Sequence, residues 1–171
     1  MSRTEYIIRQ ALGTVLDIGC AGDRGNLHLK LIEFFDDVHG LDIEEMETEK
    51  FVIGDCQELP YDSESFATVI MGEVLEHLVN PLKALKEAYR VLAPDGRIIL
   101  TVPNAYSWGN VFGYLLKGKE QESNPDHIWL FTPYSISYLL WFAGFTVSDL
   151  RIIKPSYRLG SHIAAMGIKL K

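Results

Sequence analysis

The chain is poor in the features that would tie it to a membrane, a metal or a disulfide scaffold. Two cysteines, Cys20 and Cys56, occur in 171 residues, and neither belongs to a C-x-x-C pair. They are expected as free thiols in a reducing compartment, packed as small buried side chains. The start, Met1-Ser2-Arg3-Thr4-Glu5, is polar and leads into no apolar stretch of the signal-peptide kind. The longest apolar run, Tyr138 to Phe145, falls far short of the roughly 18 residues that a membrane-spanning helix needs. A cytoplasmic protein without a membrane partner is the expectation. No H-x-x-H and no Cys/His cluster with ligand spacing is present, so no metal is expected. A Gly-Lys-Ser/Thr phosphate loop is missing as well. Positive charge is scarce: 16 Lys and Arg stand against 23 Asp and Glu, and the net charge of −7 repels a nucleic-acid backbone.

What is present is an ordinary globular mixture, 47% apolar and 23% charged, which excludes a disordered or collagenous chain. The length fits one domain over residues 1–171, large enough to bury about 70% of its unfolded surface without a staple. Short apolar runs alternate with segments of helical period. Val15 to Ile18, Val38 to Leu41, Phe51 to Ile53, Phe66 to Met71 and Arg97 to Val102 read as buried strands. Between them, Leu27, Leu31 and Phe34, with Ile32 and Phe35 beside them, mark a helix over 26–35. Asn80 and Pro81 open a second helix as cap and first residue, with a stripe through Leu82, Leu85, Ala88 and Leu92 and a stop at Pro94-Asp95-Gly96. Thr132-Pro133 repeats that signal, and Gly144 sits where such a helix ends. Two last strands, 146–153 and 163–170, are joined by a turn holding Pro155 and Gly160. This alternation predicts an α/β fold, a mostly parallel sheet flanked by helices, with the last two strands as an antiparallel pair at one edge.

Open parallel sheets bind ligands at the carboxyl ends of their strands, and each end here carries a turn-former or a polar residue. Asp17-Ile18-Gly19-Cys20-Ala21-Gly22 follows the first strand, Asp42 the second, Gly54-Asp55-Cys56 the third, Gly72-Glu73 the fourth and Pro103-Asn104 the fifth. Glycine at 19 lets main chain approach a ligand that a Cβ would repel. A carboxylate at 42 can accept both hydroxyls of a ribose, and Asp55 can accept an adenine amino group. Any one of these Asp residues alone is equally a cap or turn residue; the set at successive strand ends is what points to an adenosine-containing ligand. The nicotinamide fingerprint fails, since Gly19 is followed by Ala21 and Arg24. An acid-lined pocket suits instead a ligand with a sulfonium and an ammonium group.

Val15-Leu-Asp-Ile-Gly-Cys-Ala-Gly22 resembles motif I of class I S-adenosylmethionine-dependent methyltransferases. The stretches Asp55-Cys-Gln-Glu-Leu-Pro-Tyr61, Glu73-Val-Leu-Glu-His-Leu-Val-Asn-Pro81, Tyr89-Arg-Val-Leu92, Pro94-Asp-Gly96, Phe131-Thr-Pro-Tyr134 and Ala143-Gly-Phe145 look like the small-molecule, type 11-like branch of that family. The resemblance covers nearly the whole chain from about residue 13. It implies a Rossmann-like methyltransferase fold of seven strands, the last antiparallel, and S-adenosylmethionine as cofactor with S-adenosylhomocysteine as product. By the same resemblance Asp17, Gly19 and the backbone of Cys20 and Ala21 hold the methionine end. Asp42 takes the ribose, Ile43 flanks the adenine, Asp55 and Cys56 take its edge, and Gly72 and Glu73 line the floor beside the reactive sulfur. Two departures stand out: Ala21 and Asp23 occupy positions of the second and third motif glycines, and about a dozen residues precede strand one where many relatives carry a helical lid.

The function expected is methyl transfer to a small-molecule acceptor at an oxygen, nitrogen or carbon centre by in-line displacement. Where the acceptor needs a general base, His77 and His127 (the latter beside Asp126) are the candidates, each equally able to anchor its loop by a hydrogen bond. His28, His39 and His162 read as structural. Residues 104–130, with Trp108, Phe112 and Tyr114 among three glycines, are expected to form a substrate or lid insertion, with Trp108, Phe112 and His127 against the acceptor. A homodimer surface or a hydrophobic cover on the sheet are the other readings of that segment. The alternative to an active enzyme is a catalytically silent cofactor-binding module or partner subunit. A nucleic-acid methyltransferase is disfavoured by charge and by Met71-Gly72-Glu73-Val74 standing where amino-methylating DNA enzymes place Asn-Pro-Pro-Tyr.

Overall fold

A computed structural model describes residues 1–22, 26–107, 111, 115–116, 126–153 and 162–171. Seven strands form one sheet: β1 (Val15–Ile18), β2 (Val38–Asp42), β3 (Phe51–Ile53), β4 (Phe66–Gly72), β5 (Leu92–Pro103), β6 (Thr146–Ile153) and β7 (His162–Ile168). Their order is β3-β2-β1-β4-β5-β7-β6. The first five are parallel, and β7 runs antiparallel to both β5 and β6. The expected antiparallel pair is therefore present, with β6 at the edge and β7 inserted inside it. Four helices flank the sheet among the described residues: α1 (Arg3–Gln10), α2 (Asn26–Phe34), α3 (Pro81–Val91) and α4 (Pro133–Phe142). The turn expected around Pro155 and Gly160, and Asp23, Trp108, Phe112 and Tyr114, lie outside the described residues.

Strand side chains point alternately to the two faces, and the sheet builds a core on each. Leu16 and Ile18 of β1, Val69 and Met71 of β4, and Ile98, Leu100 and Val102 of β5 pack against α3 and α4 through Leu85, Ala88, Ile136 and Leu140. Val15, Ile70, Ile99 and Ala164 face the other way, onto Tyr6 and Ile7 of α1 and Leu31 of α2. Both caps read from the sequence form. Asn80 accepts the Lys83 N–H, and Thr132 and Ser135 make a reciprocal capping box. Gly144 takes φ +105° after α4.

Three features depart from the sequence reading. The first is α1, which the polar start concealed. Ser2 caps it, the Tyr6 hydroxyl donates to Asp149 (3.1 Å), and Arg97 Nη1 donates to the Gln10 carbonyl (3.0 Å). The second is the rotation of α2: Phe34 is 63% exposed, while His28 is fully buried beside Leu31. A polar residue occupies the inward face, so apolar spacing alone mis-sets the helix by about a quarter turn. The third is that α3 gives way to β5 at once, at Leu92. Asp95 adopts φ +64°, and main-chain bonds Asp95 N–H to Lys169 O (2.8 Å) and Lys169 N–H to Gly96 O (2.9 Å) draw the expected stop segment into the sheet.

Docking of α1 rests on its single buried aromatic. Tyr6→Ala is expected to lower the unfolding free energy by about 3–5 kcal/mol, the usual cost of truncating a buried aromatic, measured by urea denaturation.

Candidate functional site

Because β1 to β5 are parallel, their carboxyl ends meet along one edge, and two adjoining cavities open there. The first, about 290 Å³, is lined by Leu41, Asp42, Ile43, Asp55, Cys56 and Leu78 among others. The second, about 230 Å³, is lined by Arg3, Asp17, Cys20, Leu27 and Gly72. Gly19, Gly22, Glu73 and His77 line both. One half has apolar walls rimmed by Asp42, Glu44, Asp55 and Glu73, the other is charged, so the pair suits an elongated ligand with a planar end and a zwitterionic end.

Gly19 makes the junction. It has φ +76°, donates its N–H to Leu41 O (2.8 Å), and a Cβ there would run into Val74 Cγ2. Asp42, at the end of β2, ties the neighbouring loops together. Its Oδ2 accepts the Ala21 N–H (2.8 Å) and its Oδ1 the Glu44 N–H (3.1 Å). Each carboxylate oxygen keeps a second lone pair for a ligand hydroxyl. Ala21 is not among the residues of positive φ, so alanine fits this turn. Its N–H, expected on the ligand, is instead held by Asp42, and Ala21 lines neither cavity. Asp55 accepts Gln57 N–H (2.8 Å) and starts a turn at the mouth, with Ile43, 76% exposed, beside it. Burial pushes both thiols, Cys20 and Cys56, up to about 12, so these residues offer main chain and bulk rather than reactive sulfur.

Asp17 is buried, with Oδ2 3.1 Å from His28 Nδ1. Burial raises its pKa and the His28 contact opposes that rise. His28, expected as merely structural, is thus what steadies the motif carboxylate. Glu73 follows β4 in the left-handed region, φ +61°, a strained setting of the kind that clusters at functional sites. Its Oε2 meets His162 Nε2 at 3.1 Å, while Oε1 is buried without a hydrogen-bond partner among the described residues.

The expected base pair is brought together, in an arrangement that the sequence did not suggest. His77 lies at the end of a single 3-10 turn, Leu75–His77. Its ring is 4.7 Å from that of His127, nearly perpendicular to it. Asp126 bears on both rings: its main-chain oxygen is 3.2 Å from His77 Nδ1, and its charge acts on His127. Burial, then the neighbouring His77, lower the pKa of His127. The insertion departs and returns beside β5, where Asn104 and Phe131 form a bridge. Arg3 escapes the sequence reading altogether, and Glu76 enters it only as part of a motif, without a role. Arg3 reaches the site because α1 docks there, and Glu76 is fully buried, its carboxyl pushed up to about 8 by burial and by the charge of Glu73.

Comparison with known proteins matches a family model described as "Methyltransferase domain" to residues 3–150. A Mycolicibacterium smegmatis protein named "Probable S-adenosylmethionine-dependent methyltransferase" is 30% identical over 96 residues, 56% of this chain and 35% of that protein. The chain thus spans about a third of that curated relative's length. A SAM-dependent methyltransferase from Methanosarcina mazei superposes with TM-score 0.73 at 19% identity, covering 99% of this chain and 98% of that one. The 1,6-didemethyltoxoflavin-N1-methyltransferase of Burkholderia thailandensis, solved with 1,6-didemethyltoxoflavin and S-adenosylhomocysteine, superposes with TM-score 0.74 at 19% identity, covering 98% and 77%. At such identities the superpositions establish the fold.

Gly19→Ala combines a left-handed φ with a clash at Val74. It is expected to cost about 1–3 kcal/mol of stability, read as a lowered Tm.

Proposed function

Because the chain belongs to the methyltransferase-domain family, we propose that it acts as one methyltransferase domain that transfers the methyl group of S-adenosylmethionine to a small-molecule acceptor. The observation that carries this reading is the pair of adjoining cavities whose charges match the two ends of that cofactor. The residues fit it. Gly19 lets the turn pass close by Val74, where a Cβ would clash, and Glu73 presents a buried carboxylate oxygen without a hydrogen-bond partner among the described residues. Asp42 has lone pairs for the ribose hydroxyls, Ile43 offers an apolar surface to the adenine, and Asp55 and the Cys56 N–H take its edge. In the second cavity the Arg3 guanidinium faces the α-carboxylate, and Asp17 with Glu73 faces the ammonium group.

Bound S-adenosylmethionine supplies an electrophilic methyl carbon, which an acceptor lone pair takes as the carbon–sulfur pair returns to sulfur. The chain's own contribution is placement: holding two reactants at attack distance supplies roughly 7–11 kcal/mol of the barrier. Glu73 and His77, common to both cavities, stand where the methyl group would face the acceptor. The Asp126 carbonyl can only accept, so His77 carries its proton on Nδ1. Nε2 is then free to accept a proton from a hydroxyl or ammonium acceptor. His127 supports His77 through ring contact and lines neither cavity. A small-molecule acceptor is favoured over nucleic acid by the net charge of −7, which repels a phosphate backbone. The compartment proposed is the cytoplasm; among the described residues no helix is long and apolar enough to cross a membrane.

Calorimetric titration with S-adenosylmethionine and S-adenosylhomocysteine is expected to show saturable binding. Asp42→Ala is expected to weaken it by about 1–3 kcal/mol, the cost of leaving polar groups unpaired. Wild-type affinity in that variant would remove Asp42 from the site. Binding without turnover on a panel of hydroxyl and amine acceptors would leave a cofactor-binding module in place of an enzyme.

A further inference from the structure

The geometry points to a divalent-cation site formed by Glu76, His77 and His127 beside the two cavities, whose wall His77 alone of the three joins. One ligand atom from each residue can be chosen so that all three lie within 4.8 Å of one another. A cation about 2.1 Å from each needs ligand atoms roughly 3.4 Å apart, so the side chains must close by about an ångström. Two imidazoles and one carboxylate suit a transition-series cation such as Zn²⁺, Co²⁺ or Fe²⁺ better than Ca²⁺ or Mg²⁺, which take mostly oxygen.

Three independent observations favour a ligand at this point. Glu76 has no exposed surface, and neither carboxylate oxygen has a hydrogen-bond partner among the described residues. A buried carboxyl in that state is costly, and a cation would satisfy it. His77 already has the hydrogen bond typical of a metal-ligating histidine: Nδ1–H donates to a main-chain carbonyl, which leaves the Nε2 lone pair for a metal. His127 is held against His77 by main chain. Ile128 and Trp129 both donate N–H to Glu76 O (3.0 and 3.3 Å), and Trp129 Nε1 donates to Leu78 O (2.7 Å). The segment carrying one ligand is thus clamped onto the turn that carries the other two. Spacing along the chain could not reveal the set, because His127 joins it only through the fold.

Three protein ligands leave coordination positions open, and His77 borders both cavities. With the cation in place the His77 Nε2 lone pair is a ligand rather than a base, and an acceptor hydroxyl bound to the cation would release its proton to water more readily, its oxygen keeping the bonding pair. The acceptor class selected would be a hydroxyl compound. This role rests on the methyl-transfer reading, whereas the cation site rests on geometry alone.

The test uses the full chain freed of metal by a chelator and titrated with Co²⁺, whose visible absorption reports imidazole and carboxylate ligation. One Co²⁺ per chain is expected, displaced by Zn²⁺, with affinity at least about tenfold weaker in Glu76→Gln and in His127→Ala. Calorimetry without metal runs in parallel, and S-adenosylmethionine affinity is expected to stay within about twofold in His127→Ala, since His127 lines neither cavity. No saturable cobalt spectrum, or an unchanged one in His127→Ala, overturns the site. That variant alters a partly exposed side chain and decides the matter even where Glu76→Gln fails to fold. Cobalt binding in a wild-type chain that ignores S-adenosylmethionine would sustain the cation site and overturn the methyl-transfer reading.

Discussion

Both faces of the sheet are buried, and this constraint sets the rest. With α1 and α2 on one face and α3 and α4 on the other, the parallel strands β1 to β5 are left with their carboxyl ends to meet a ligand. Carboxylates are nearly absent from the inner positions of β1 to β5 and collect at those ends, although Thr68, Thr101 and His39 lie within strands. Asp42, Asp55 and Glu73 occupy three successive ones, and Asp17 is the exception that explains its own surroundings. It lies inside β1, and a buried histidine has to come from α2 to meet it.

The strand-end logic is why so much of the site was legible before any coordinates. Seven strands, two helix caps and the positions Gly19, Asp42, Ile43, Asp55, Cys56, Gly72 and Glu73 that line the two cavities were each readable from a local pattern: a run, a cap or a turn-former after a run. What stayed hidden acts only through tertiary contact. Arg3 matters because a helix with just two buried residues, Tyr6 and Ile7, docks over the second cavity. His28 turns α2 away from its apolar spacing. Glu76 sits in a motif but reveals its unpaired carboxylate only when the chain encloses it. Ala21 shows the opposite error, a residue in the right place whose N–H is already held by its neighbour.

The same fold supports different chemistry by changing what surrounds the strand ends. Here the turn after β4 is the element with the most unusual backbone and the most buried charge. Glu73 takes a left-handed φ, Glu76 and His77 follow within one helical turn, and residues 126–130 return to cover them. That concentration sets the end of β4 apart from β1 to β3, whose Asp17, Asp42 and Asp55 have no comparable enclosing segment among the described residues.

The placement of β7 has a consequence for how the molecule keeps its edge. β6 joins the sheet through β7 alone. Loss of β7 would therefore strip β6 of its main-chain pairing with the sheet, and the two strands stand or fall together.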